Sequence, residues 1–221
     1  MDLTVLIPVH NTPAHHLLEA VRCITEQDDG GNHRIILIDD ASHRKDTLWA
    51  LKWLSEQDGI DLIRMKWNSG ISGALNEGHR HVKTEYVAHI DSDDICSRNR
   101  FRLMIERLEQ NPEIDVLGCQ LFSFWNDDIT RAPAFISQHP VNPEPNEDGR
   151  AWLVNHASII IKQKSFEASG GYATELWRAQ DVDLWSRMYE MGFIFENLPD
   201  VLYGWRRYRS SSSVSSPSIE S

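Results

Sequence analysis

Tyr86-Val87-Ala88-His89-Ile90-Asp91-Ser92-Asp93-Asp94-Ile95 is the stretch around which the chain is organised. The apolar run Tyr86 to Ile90 reads as a buried strand. It ends in three carboxylates within four residues. Strand packing does not call for them, because Asp is depleted in strands and crowded like charges repel. A divalent cation reverses the sign of that interaction. Hard oxygen ligands at the mouth of a strand suit Mg²⁺ or Mn²⁺, commonly shared between one or two carboxylates and a substrate diphosphate. The alternative is a loop in which Asp94 or Ser97 caps the following helix, which accounts for one acid and not for three.

Upstream, the same arrangement repeats. Leu3 to Ile7 is a buried strand stopped by Pro8, with a loop from Pro8 to Pro13. Ala14 to Gln27 places Leu17, Leu18, Val21 and Ile24 on one helix face. Ile35 to Ile38 is a second strand, ending in Asp39-Asp40-Ala41-Ser42. Asp46 to Gln57 is helical, Leu62 to Met65 is a third strand, and Ser72 to Val82 is helical. The first half thus reads strand, helix, strand, helix, strand, helix, strand. Apolar strands without alternation imply a parallel α/β sheet covered on both faces. Ligands of such sheets sit at the carboxyl ends of the strands, where four polar loops converge.

Downstream, Arg98 to Gln110 reads as a helix with Phe101, Leu103, Ile105 and Leu108 partly on one face, and Val116 to Phe124 as a strand. Residues 126–150 form a Pro-, Asn- and Asp-rich excursion with short strands at most, and long loops in compact domains are often functional. Ala151 to Ile161 returns to sheet-like sequence. Lys164 to Ser169 is a short helix closed by Gly170-Gly171. Asp181 to Met191 is a helix, and Phe193 to Phe195 and Val201 to Tyr203 are two short strands. We expect a single domain over 1–209, in two halves (1–97 and 98–209), and a disordered Ser-rich tail over 210–221.

Composition narrows the function. Of 221 residues, 41% are hydrophobic and 25% charged, as in an ordinary globular protein. A net charge of −11 argues against a nucleic-acid partner. Cys23, Cys96 and Cys119 form no CxxC pair and read as reduced thiols in a cytoplasmic protein. The chain enters a strand at once, which predicts no leader, and no apolar stretch of about 18 residues offers a membrane span. Core packing is the default for its eight tryptophans.

Several motifs, in order over roughly residues 3–215, resemble the inverting glycosyltransferases of family 2. They are Leu6-Ile7-Pro8-Val9-His10-Asn11, Ile38-Asp39-Asp40-Ala41-Ser42, the Asn68-Ser69-Gly70 turn and its helix, and Asp91-Ser92-Asp93-Asp94. His156 before a Ser-containing strand, Gln180-Asp181-Val182-Asp183-Leu184-Trp185, and Tyr203 to Ser215 complete the set. The resemblance implies a GT-A fold: a Rossmann-like, mostly parallel sheet flanked by helices on both faces. It also implies a metal-dependent hexosyl- or N-acetylhexosaminyl-transferase. A sugar would pass from a nucleotide-diphosphate donor, a UDP-sugar, to a glycan or lipid-linked saccharide during surface-polysaccharide assembly, by one displacement with inversion.

By the same resemblance, Asp93 with Asp91 would hold Mn²⁺ or Mg²⁺, and Asp181 would be the general base. The half 1–97 would be nucleotide-sugar-binding, through Pro8, His10, Asn11, Asp40, Asn68, Gly70, Asp91 and Ser92, and the half 98–209 acceptor-binding. His156, Trp177 and Gln180 would face the acceptor. Arg206 and Arg207 would reach the diphosphate or an anionic membrane surface on the inner face. His10 stands where Tyr is usual and Gln180 where Glu is usual. Those departures keep open a non-catalytic nucleotide-binding module with a decayed site. A nucleotidyltransferase would want a Gly-rich loop after the first strand, which Pro8-Val9-His10-Asn11 lacks. Read alone, Asp181 suits a helix N-cap.

Overall fold

The structure, a computed structural model, describes residues 2–30, 33–125, 133, 135–147, 151–176 and 178–208. Its first half alternates β1 (Leu3–Val9), α1 (Ala14–Thr25), β2 (Arg34–Asp39), α2 (Lys45–Ser55), β3 (Ile60–Arg64), α3 (Gly70–His79) and β4 (Tyr86–His89). β1 lies between β2 and β4, β3 flanks β2, and all these pairings are parallel. The predicted α/β order holds here.

Successive β1 side chains face opposite ways, as the pleat demands. Val5, Ile7 and Val9 join a core with Leu17, Val21 and Ile24 of α1 and Leu51 and Leu54 of α2. Leu6 joins a second core with Ile36, Ile38, Val87, and Ala74 and Leu75 of α3. The sheet is therefore the middle of three layers, and β1, β2 and β4 are largely apolar because both their faces are covered, whereas the edge strand β3 is partly exposed.

The second half contains β5 (Ile95–Cys96), α4 (Arg100–Gln110), β6 (Val116–Trp125), β7 (Phe135–Ile136), β8 (Ile160–Lys162), α5 (Gln163–Ala168), α6 (Gln180–Glu190) and β9 (Phe195–Arg207). The strand order is β3-β2-β1-β4-β8-β6-β9-β5, with β7 beside β6. β8 runs antiparallel to both β4 and β6, β9 runs parallel to β6, and β5 runs antiparallel to β9. Phe101 and Met104 of α4 pack on the first core, and Phe166 of α5 and Leu184, Trp185 and Met188 of α6 pack on the second.

Several sequence expectations need correction. Pro8 does not stop β1. The Leu6 carbonyl accepts from Ile90 N–H and the Val9 carbonyl from Asp40 N–H. Pro8 therefore faces the β4 side beyond the end of β4, where its missing N–H costs nothing. The two short strands expected over 193–203 are one strand. Its ladder with β6 passes from Leu198 to Val201, so Pro199 and Asp200 bulge out instead of ending it. Of the sheet-like 151–161 run, only its last residues pair. Ala151, Leu153 and Val154 are buried as a loop, whose Leu153 carbonyl accepts from Asn197 Nδ2 at 2.8 Å. The tryptophans are not mainly core: Trp185 is buried, but Trp49, Trp53, Trp67, Trp152 and Trp205 are exposed. The tail over 210–221 and parts of the 126–150 excursion lie outside the described residues.

Candidate active site

The loops after β1, β2, β3 and β4 are laced together at the carboxyl end of the sheet. The Asn11 amide donates to His10 Nε2 at 2.9 Å, which leaves His10 Nδ1–H to donate to the Asp40 carbonyl at 2.7 Å. The Asn11 N–H donates to Ser42 Oγ at 2.9 Å, and the Thr12 and Ser92 hydroxyls are 2.6 Å apart. Asp40 Oδ1 accepts from Ser69 N–H at 2.7 Å, fixing the start of α3. Asn68 Oδ1 accepts from Gly70 N–H at 3.1 Å, and Gly70 has φ +71°. A cavity of about 180 Å³ opens between these loops, lined by Pro8, His10, Asp40, Asp91, Ser92 and Asp93 among others.

The acidic stretch is clamped from the far end of the chain. Tyr203 accepts from Asp91 N–H at 3.1 Å and donates to Asp94 Oδ2 at 2.8 Å. Asp94 Oδ1 accepts from Arg206 N–H at 2.7 Å, and Arg206 Nε donates to the Asp93 carbonyl at 2.6 Å. The buried Arg206 also pairs with Glu19 and lies over the Phe124 ring. Asp94 is therefore not a helix cap: α4 starts after Asn99 without a side-chain cap, and Asp94 is turned inward. Burial raises the Asp94 carboxyl, with Asp91 and Asp93 adding to it. Arg207 stacks on Trp125 and Trp205, so it stands beside the second cavity, described next. The sequence pointed Arg206 toward a diphosphate or a membrane surface and did not reveal that, with Tyr203, it braces the acids.

That second cavity, of about 320 Å³, is lined by Asp91, Asp94, His139, Trp152, Asn155, His156, Asp181, Tyr203 and Trp205 among others. Asp91 belongs to both cavities. Withdrawal of its carboxyl from water, then the negative charges of Asp93 and Asp181, push it up to about 7. Asp93 lines the first cavity and Asp181, far along the chain, lines the second, with Asp91 between them. Asp181 opens α6 but does not cap it. The cap position is Ala179, at φ 56°, and no side-chain cap bond is made. Among the described residues, three non-glycine residues have positive φ: Asn11, Ala41 and Ala179, which adjoin His10, Asp40 and Gln180 respectively. Asp183 faces away and binds Arg187 at 2.7 Å.

His156 and Asp181 share the second cavity; Gln180 is half-buried at the start of α6 and not among its lining residues. Trp177 lies outside the described residues. Trp152 and Trp205, which sequence reading passed over, provide the exposed aromatic faces there. Burial next to Asp93, with which it shares a hydrogen bond, raises the Tyr208 hydroxyl. Among the described residues, no three His, Cys, Asp or Glu side chains are grouped to hold a metal unaided, and no helix is long and apolar enough to cross a membrane. The Cys23 and Cys96 thiols are 3.2 Å apart and unbonded.

The family model described as Glycosyl transferase family 2 matches residues 4–166. EpsE of Bacillus subtilis is 28% identical over 204 residues, covering 91% of this chain and 71% of that protein. The amylovoran biosynthesis glycosyltransferase AmsE of Erwinia amylovora is 25% identical over 203 residues, covering 90% and 74%. S. aureus TarS (1–349) superposes with a TM-score of 0.74 at 16% identity, covering 93% of this chain and 60% of that one. Its UDP and UDP-GlcNAc complexes are similar too. The mannosyltransferase PcManGT of Pyrobaculum calidifontis, solved with GDP-Man and Mn²⁺, gives 0.70 at 20% identity, covering 92% and 56%. The chain thus spans about three-fifths of the solved chains it matches. These neighbours have the GT-A fold, and so does this sheet.

Proposed function

Because the chain belongs to glycosyl transferase family 2, we propose that it moves a sugar from a nucleotide-diphosphate donor to a hydroxyl of a glycan or lipid-linked saccharide, with inversion. The observation that carries this reading is the place of Asp91, which lines both cavities and feels the charges of Asp93 in the first and Asp181 in the second. The cavity beside His10 and Asp40 takes the nucleotide. The cavity beside His156 and Asp181 takes the acceptor.

The acids fit a divalent cation. Burial raises Asp91, the negative charges of Asp93 and Asp181 add to it, and Asp93 lies in the donor cavity with it. Asp93, with Asp91 beside it, would hold Mn²⁺ or Mg²⁺, and two protein carboxylates suffice when a diphosphate completes the shell. When bound, the ion stabilises charge gathering on the departing diphosphate.

Asp181 takes the proton of the acceptor hydroxyl as that oxygen bonds to the anomeric carbon. The bond from that carbon to the diphosphate oxygen breaks in the same step, and the nucleoside diphosphate leaves with the electron pair. Trp152 and Trp205 offer flat apolar faces to sugar rings. Solved neighbours with UDP, UDP-GlcNAc and GDP-Man support a nucleotide-sugar donor, and we favour a UDP-sugar. AmsE, by its name, supports a role in polysaccharide assembly.

A panel of UDP- and GDP-sugars with and without Mn²⁺ tests the reading, scored by melting temperature and by nucleotide release. The expected result is metal-dependent stabilisation by one donor, with release lost in Asp93→Ala. Binding without release in any condition identifies a non-catalytic module instead.

A further inference from the structure

A buried file of side chains runs from the acceptor cavity through the second core to the opposite surface. His156 Nε2 lies 2.9 Å from the Tyr172 hydroxyl, and that hydroxyl lies 3.4 Å from His89 Nδ1. His89 Nε2 is 3.0 Å from His79 Nε2, and His79 Nδ1 is 2.7 Å from Gln163 Oε1. Gln163 Nε2 donates to the His79 carbonyl and to Glu167 Oε1 at 3.0 and 2.8 Å, which fixes the amide orientation. His79, His89 and Tyr172 are buried, and His79 is clamped by Phe166, stacked at 3.5 Å.

The direction of every bond follows from the Gln163 end. The amide oxygen can only accept, so His79 carries its proton on Nδ1. With no carboxylate against them, the buried imidazoles are neutral, so His79 Nε2 accepts and His89 Nε2 donates. His89 Nδ1 then accepts from the Tyr172 hydroxyl, and the Tyr172 oxygen accepts from His156 Nε2–H. His156 Nδ1 is left with a lone pair and no partner among the described residues, on a ring that lines the cavity with Asp181.

We infer that Gln163, His79, His89 and Tyr172 form a one-way hydrogen-bond chain that locks His156 in its Nε2–H tautomer, so that Nδ1 accepts a hydroxyl of the acceptor beside Asp181. His156 contacts substrate, and the other four are positioning residues. The acceptor role rests on the function proposed above; the tautomers do not.

The test is ¹⁵N NMR of the histidine rings together with transfer kinetics. The wild type should show His79 as Nδ1–H and His156 as Nε2–H. Measured at a pH high enough to keep His79 neutral beside the new carboxylate, Gln163→Glu keeps an acceptor at the far end and should keep both tautomers. Gln163→Lys offers only a donor and should reverse the file, giving His79 Nε2–H and His156 Nδ1–H. Between these two variants kcat should differ by about tenfold, the worth of one hydrogen bond, at equal KM for the donor. If Gln163→Lys does not fold, Tyr172→Phe cuts the file: His79 should stay Nδ1–H while His156 becomes a mixture. A wild-type His156 carrying Nδ1–H overturns the inference. So does an unmoved His156 tautomer in Gln163→Lys or Tyr172→Phe, or a reversed tautomer with unchanged kcat. The stated tautomers in a wild type that transfers no sugar would uphold the chain and overturn the proposed function instead.

Discussion

On the side of the site proposed for the donor, polar residues are tied to one another across neighbouring βα loops: His10 to Asp40, Asn11 to Ser42, Asp40 to Ser69, spaced 30, 31 and 29 residues apart. On the acceptor side and at the clamp, partners come from far away. Asp94 meets Tyr203 across 109 residues, and His89 meets Tyr172 across 83. The parallel half repeats one unit, so its site is a local property of each unit. The mixed half depends on strands crossing, and its site exists only once the whole sheet has formed. Asp91 is where the two meet.

The largest effect that sharpens this contrast is expected at Asp181. Because it makes no cap bond, Asp181→Asn should leave the melting temperature alone and lower kcat about 10³-fold, near 4 kcal/mol of barrier. A large melting shift would instead make it a structural residue of α6.

Next comes acid sensitivity of the acceptor-side core. Burial pushes His79 down to about 4 from its ordinary 6.5. The folded form therefore binds fewer protons than the unfolded one between those values. The stability contributed is complete above pH 6.5 and lost as pH falls toward 4, up to about 3 kcal/mol. Urea denaturation of wild type against His79→Leu should show their difference shrinking by that amount over the window. A flat difference would place the His79 ring in water.

The clamp should matter less, but to both sides together. Arg206→Leu removes the donors to Asp93 and leaves Glu19 unpaired, at a cost of about 2 kcal/mol. Donor binding and transfer should weaken together, which titration calorimetry and kinetics would show. Smallest is Gly70→Ala on the donor side. A Cβ there meets nothing within 4 Å, so only the positive φ is penalised, by about 1 kcal/mol in melting experiments.

The same contrast explains what the sequence made legible. β1 to β4, their helices and the polar residues at their carboxyl ends follow from uninterrupted apolar runs ending in Asp, Asn or His. Pro8 misled because a proline signals a break only where the ladder needs its N–H, and pairing is not visible in one strand. Asp94 read as a cap because its true partners, Tyr203 and the Arg206 backbone, lie more than a hundred residues on. Trp152 and Trp205 were hidden because an exposed Trp and a buried one look alike until the loop is placed.

The central claim, that acids from both halves frame one cleft, is tested most directly by paramagnetic broadening. Mn²⁺ added with UDP should broaden the His156 ring resonances of the wild type and leave those of Asp93→Ala sharp. Sharp His156 signals in a wild type that has bound Mn²⁺ and UDP would contradict it.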